Sequence, residues 1–229
     1  MEIEEIVDAL KKIKSDGYVV SLRKGPTGIG KTLETLFGIE ENNFKIPDFG
    51  TIELKSQRRN VSNRVTMFTF NRGVWLLNQK EVIKKYGYVD TDNREALYCT
   101  VNSRINQQGF YLDVYDESLL LKHKDGTSIA SWEISDLVNA FSSKMPSLIV
   151  VYADSRFNAK GKEEFWFNEA YLLKNPDIDN FIDLLKKDIV IVDIRMHLKK
   201  VGTVRNHGTA FRILENHIRF CFGIKEKLI

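Results

Sequence analysis

Two cysteines in 229 residues, Cys99 and Cys221, are too few and too far apart for a disulfide scaffold or a cysteine-rich zinc site. Four prolines, Pro26, Pro47, Pro146 and Pro176, lie scattered, so no proline-rich linker divides the chain. The longest apolar run, Leu148 to Ala153, falls far short of the roughly 20 residues needed to cross a bilayer. No membrane span is expected. An excess of one charge is also missing: 34 basic residues against 31 acidic ones leave a net charge of +3, too mild to argue for nucleic acid by itself. The opening residues Met1 to Glu5 are acidic where a secretory signal needs base, so no leader and a reducing, cytoplasmic setting are expected. Repeats and low-complexity stretches are absent as well.

What is present is the balance of a globular protein, 43% hydrophobic and 28% charged, which excludes a disordered tail or a fibre. The length allows one large domain or two small ones. Ile3, Ile6, Val7, Leu10 and Ile13 recur at helical spacing, with Gly17 placed as a C-cap. Leu33, Leu36 and Phe37 predict a short second helix stopped by Gly38. Strands are expected at Thr51–Lys55, Val65–Phe70, Ala96–Val101, Phe110–Tyr115 and Ser118–Lys122, with Asp125-Gly126 turning into Ser128–Trp132. Helical spacing returns around Ile134 to Phe141 and Ile178 to Leu185, the runs Leu148–Ala153 and Phe165–Leu173 look buried, and Ile189–Met196 opens the last third before an Arg/His/Gly-rich segment. Helices and strands mix without regular βαβ alternation, which favours a mixed α+β or irregular α/β fold with a central mixed sheet flanked by helices.

One motif invites a nucleotide. Gly25 to Thr32 fits the G-x-x-x-x-G-K-[ST] pattern, in which Lys31 would reach the terminal phosphates and Thr32 would hold Mg²⁺, with Asp154 or Asp193 as a further metal-binding acid. The context argues against a P-loop NTPase. The strand before the loop is short, Arg23 and Lys24 intervene, and the helix after it lasts about two turns. A glycine loop pressed against another backbone, capping a short helix, accounts for the same residues.

A second constellation carries other chemistry. Glu53 and Lys55 are two apart on a predicted strand, so they project from one face, while Asp48 precedes a turn at Gly50 that can bring its carboxylate back toward Glu53. Two carboxylates suit Mg²⁺, and the lysine can orient an attacking water and stabilise charge on phosphorus. Ile52 and Leu54 alternate with the acid–lysine pair, fixing that face relative to a buried one. Arg58, Arg59, Arg64 and Arg72 follow closely and would neutralise a phosphodiester substrate.

Thr27 to Ile39, with Pro47-Asp48 and Glu53-Leu54-Lys55 after it, resembles the MvaI/BcnI group of type II restriction endonucleases, which share a catalytic core with the mismatch-repair nicking enzyme MutH. The resemblance implies a MutH-like, restriction-endonuclease-like domain over residues 1–229. Within it, a catalytic lobe at about 1–145 and a DNA-recognition lobe at about 146–229 are conceivable. It assigns the glycine stretch to the nuclease with no nucleotide cofactor, makes Asp48 and Glu53 the ligands of Mg²⁺ and Lys55 the activator of water, and adds Glu34 as a supporting acid. Near the other end, Asp193 and Arg195, then Arg205, His207, Thr209 and Arg212, look like the group's DNA-reading segments. Independently of the resemblance, aspartate can accept from cytosine N4, arginine can bond guanine, and histidine can donate to a purine or phosphate. The implied enzyme is a monomer that nicks the two strands of double-stranded DNA in turn at a short GC-containing site such as CC-x-GG. A companion methyltransferase in the host goes with it. A MutH-like strand-specific nickase is the neighbouring alternative.

Overall fold

A computed structural model describes residues 2–39, 49–59, 64–115 and 117–229. The chain opens with helix α1 (Ile3–Ser15), strand β1 (Val19–Val20), helix α2 (Gly28–Leu36), and strands β2 (Ile52–Arg58) and β3 (Arg64–Thr69). Helix α3 (Gln79–Tyr86) precedes strands β4 (Tyr88–Val89), β5 (Glu95–Val101), β6 (Phe110–Tyr115), β7 (Ser118–His123) and β8 (Ser128–Glu133). Helix α4 (Ile134–Lys144) leads into the long hairpin of β9 (Ser147–Phe157) and β10 (Glu163–Pro176), followed by helix α5 (Ile178–Lys186). Strands β11 (Val190–Leu198), β12 (Val204–Asn206) and β13 (Ala210–Leu214), a 3-10 helix over Glu215–Cys221, and β14 (Phe222–Lys227) complete the order. The architecture is mixed α+β. Among the described residues no helix is long and apolar enough to cross a membrane.

The chain forms two compact units. The first takes residues 1–63, 143–177 and 218–229, and the second takes 64–142 and 178–217, so each draws on segments either side of residue 145. The reason lies in the pairing of the first unit's sheet, β1-β10-β9-β2, with β14 also on β10. Strands β2 and β9 run parallel, Glu53 opposite Leu148 and Lys55 opposite Val150. Parallel neighbours need a long crossover, and here the stretch between them carries the first part of the second unit.

Helix α1 forms because its apolar residues return every three to four positions and a Glu2–Glu5 capping box satisfies its first turn. Its Ile6, Leu10 and Ile13, with Ile29, Leu33 and Phe37 around α2, cover one face of the sheet: Leu54, Ile149, Val151, Ala153, Phe165, Phe167, Ala170 and Leu172. Gly17 and Gly38, both at φ 73°, occupy the left-handed conformation that ends each helix. The core-facing positions on β10 change from odd (165, 167) to even (170, 172) because a bulge between Phe167 and Glu169 adds a residue.

Among the described residues the strands form three sheets. The second unit holds a sheet ordered β3-β13-β11-β5-β4, with β12 on β11, and a three-stranded meander β6-β7-β8. The meander turns at Gly126 (φ 88°), where Asp125-Gly126 predicts a hairpin. An aromatic cluster packs this unit: Phe68 stacks on Phe211 (4.8 Å), Phe141 on Phe181 (5.0 Å), and Trp132 meets Phe211 edge-on. Leu10 is fully buried under the first unit's sheet, so Leu10→Ala should lower the unfolding free energy by about 2–5 kcal/mol. Urea denaturation followed by circular dichroism checks this.

Candidate active site and nucleic-acid interface

Alternation along β2 sends Leu54 into the core beneath the helices and Glu53 to the opposite face, with Lys55 beside it. Glu53 is nevertheless almost closed off, its side chain 7% exposed. Such a burial of a carboxylate demands compensation, and two ammonium groups provide it. Lys55 Nζ lies 2.5 Å from Oε1, and Lys144 Nζ, at the last residue of α4, donates to Oε2 at 3.0 Å. Lys144 was not foreseen, because it stands 91 residues from Glu53 and carries no motif.

The other members of the predicted set fall differently. Asp48 lies outside the described residues. Glu34 is half-buried on α2, its Oε1 3.9 Å from where a Cβ on Gly30 would stand, with Ser56 Oγ 3.8 Å from the same point. No hydrogen bond or ion pair joins it to Glu53 or Lys55 among the described residues. Nor do three histidine, cysteine or acidic side chains gather as a metal site among those residues. Glu53 offers a hard oxygen donor, and its present partners are cations. A divalent ion fits that donor chemistry.

Arg58 turns inward rather than toward a substrate. Its Nε and Nη2 bond both carboxylate oxygens of Glu163 (2.7 and 2.9 Å), and its guanidinium also donates to the carbonyls of Pro26 and Gly25. Arg59 bonds Asp154, Glu169 and Asn168. The β10 bulge presents Asn168 and Glu169 together to it. The glycine loop is therefore braced through its carbonyl oxygens, the wrong polarity for a phosphate cradle. Thr32, 2% exposed, donates to Gly28 O (2.7 Å) and accepts from the Leu22 N–H (3.0 Å), so its hydroxyl is already used. A Cβ on Gly28 would stand 2.2 Å from Arg23 O. That glycine serves close backbone approach, and the nucleotide reading of Gly25 to Thr32 does not hold.

In the second unit, Asp193 and Arg195 share one face of β11, an interior strand flanked by β13 and β5, so the sheet offers a face there and not an edge. Asp193 is 8% exposed and accepts from Thr100 Oγ1 (2.7 Å) and Arg212 Nη1 (2.6 Å). Arg212 also donates to Arg64 O (2.7 Å). Thr209 is buried, its hydroxyl donating to Asn71, which accepts from Trp75 and Asn206 too. Asn206 accepts from the Gly208 N–H and so shapes the turn carrying His207. Asn71 and Asn206 were missed, since side-chain amides that hold a loop leave no periodic signal.

Outward from this frame, a shallow basin is lined by Arg94, Tyr98, Arg195, His197, Arg205 and His207. Arg195 is steadied by the carbonyls of His207 and Gly208. Tyr98 bonds His197 Nδ1 at 2.7 Å, and the two histidine rings stand 5.4 Å apart. Desolvation, then the cationic neighbours, hold both histidines below the ordinary value of 6.5. Three arginines with two imidazoles and a phenol make a surface of hydrogen-bond donors and acceptors suited to base edges and phosphates.

The family model of the MvaI/BcnI restriction endonucleases matches residues 7–222. The solved complex of restriction endonuclease MvaI with its cognate DNA substrate is similar over 100% of both chains, at 25% identity and a TM-score of 0.80. MvaI in the absence of DNA matches at 24% identity and a TM-score of 0.58, over 100% of this chain and 99% of that one. No curated protein gives a significant match.

Two outcomes follow. Arg58→Ala should cost about 2–4 kcal/mol of stability by stranding Glu163, read in urea unfolding. A histidine whose folded-state pKa is depressed contributes stability above its unfolded value that is lost as pH falls through the folded one. Lowering the pH from about 7.5 to about 5.5 should therefore lower the melting temperature, and His197→Gln should flatten that fall.

Proposed function

Because the chain belongs to the MvaI/BcnI restriction endonuclease family and is thus a type II site-specific DNA endonuclease, we propose that it hydrolyses double-stranded DNA with Asp48, Glu53 and Lys55, using Mg²⁺. The observation that carries this reading is the buried Glu53 carboxylate, held on an ordered strand with Lys55 2.5 Å away. Asp48 and Glu53 would hold the ion, and Glu34 would support the site from α2. The ion, when bound, screens phosphate charge and makes water a better nucleophile. Lys55 orients the attacking water and stabilises the charge that builds on the phosphoryl oxygens as the P–O ester bond breaks.

Recognition falls to the basin of the second unit. Arg195, Arg205 and His207 have the exposure to meet bases and phosphates, while Asp193, Thr209 and Arg212 hold the face beneath them, and Arg58 and Arg59 hold the first unit's loop and hairpin. The MvaI–DNA complex supports duplex DNA as the partner. Action as a monomer that nicks each strand in turn at a short GC-containing sequence, with a companion methyltransferase protecting the host, completes the proposal.

Glu53→Ala and Asp48→Ala should abolish Mg²⁺-dependent plasmid cleavage yet leave duplex binding largely intact in a gel-shift assay, and Lys55→Ala should cut turnover by about 10²–10³-fold. Wild-type cleavage rates in these variants would refute the catalytic set. Arg195→Ala should weaken specific binding by about 1–3 kcal/mol.

A further inference from the structure

The second cation on Glu53 has no place in the catalytic set, and its geometry gives it one. Glu53 binds Lys55 through Oε1 and Lys144 through Oε2, so both carboxylate oxygens are bonded to ammonium groups. Lys144 therefore supplies this carboxylate with its second cation. It is also well placed by the backbone: α4 ends on it, and β9 begins three residues later and pairs Leu148 with Glu53 itself. Its side chain is 31% exposed, so the ammonium has a path away from the carboxylate.

We propose that Lys144 caps Glu53 in the ion-free protein, yields Oε2 when the divalent ion is taken up, and then pairs with the substrate phosphate. This rests on the metal-site reading above. Two ammoniums and a divalent ion gathered on one buried carboxylate would repel each other strongly in a poorly solvated site. One must leave. Lys55 is set by its strand, two residues from Glu53 on the same face, and belongs to the reaction. Lys144 reaches the carboxylate on a flexible four-carbon stem from a helix end, where a cation is favourable with or without the partner. Once released, its charge stays tethered at the site, and the anion arriving there is a phosphodiester. The capping pair thus prevents a buried, uncompensated carboxylate before ion uptake, at the cost of weaker ion binding.

Calorimetry of Mn²⁺ binding to the DNA-free protein tests this. Lys144→Met should bind Mn²⁺ about tenfold tighter than wild type, because the ion no longer competes with an ammonium, while Lys144→Arg stays near wild type. Single-turnover DNA cleavage by Lys144→Met should nevertheless slow by about 10–100-fold. Opposite movement of ion affinity and rate is what a merely structural lysine would not produce. Unchanged or weaker Mn²⁺ binding in a folded Lys144→Met overturns the capping role, and tighter binding with an unchanged rate overturns the phosphate role. Should that variant not fold, amine acylation of the wild-type protein decides: Lys144 becomes more reactive with Mn²⁺ if the inference is right and stays equally protected if it is wrong. Mn²⁺ uptake that survives Glu53→Gln unchanged would instead refute the underlying metal site.

Discussion

A carboxylate withdrawn from water needs positive charge beside it, and the placing of Glu53 ties together local sequence, strand pairing and chemistry. The alternation of β2 forces the choice. With Leu54 bedded under α1 and α2, Glu53 can only face the other way, and it does so beneath enough structure to be almost closed off. Lys55 alone leaves one oxygen without a cation. The parallel pairing of β2 with β9 brings the end of α4 to the second oxygen, so the same register that closes the sheet also completes the charge balance. Two ammonium groups, one on each oxygen, keep the buried carboxylate compensated within the fold. Packing it against apolar residues would have left the charge uncompensated.

The same accounting explains why so many charged residues in this chain are unavailable to a substrate. Arg58 and Arg59 follow the acid–lysine pair directly and read as phosphate neutralisers. Their partners Glu163, Asp154 and Glu169 sit about a hundred residues on, along the β9–β10 hairpin. The two arginines rivet that hairpin to β2 and to the glycine loop. A nearly neutral chain with balanced acids and bases can hold its scaffold this way and keep a few cations, Arg195 and Arg205 among them, on an otherwise ordered face. Asp193 and Arg212 follow the same logic in the second unit, where their pairing across β11 and β13 fixes the strand from which Arg195 projects.

What was legible in the sequence was local. The spacing in α1, the glycine stops after α1 and α2, the Asp125-Gly126 hairpin and the Glu53-x-Lys55 face all depend on neighbours within a few residues, and all are found where the pattern puts them. Helix α3 was not legible, because only Val82 and Ile83 are buried on it and its clearest signal is the Asn78 side chain accepting from the Lys80 N–H. The interleaving of the two units was beyond reach for a different reason. It follows from which distant strands pair, and a register such as Glu53 opposite Leu148 leaves no local trace. Lys144, Asn71 and Asn206 share that fate, since each acquires its role from a partner on another element.

The glycine loop shows how far a pattern can be separated from its usual cause. A phosphate cradle and a tight backbone crossing both demand residues without side chains, because in each case another group must approach the main chain closely. The two differ in which polar groups are turned toward the visitor. A phosphate needs N–H groups, whereas this loop offers carbonyls from Gly25 and Pro26 to a guanidinium, and its threonine closes back on Gly28. Glycine spacing therefore specifies closeness alone, and the charge of the partner specifies the chemistry. Here the partner is Arg58, itself anchored by Glu163 on the hairpin, and that pair of contacts makes an apparent nucleotide motif into the brace of a nuclease scaffold.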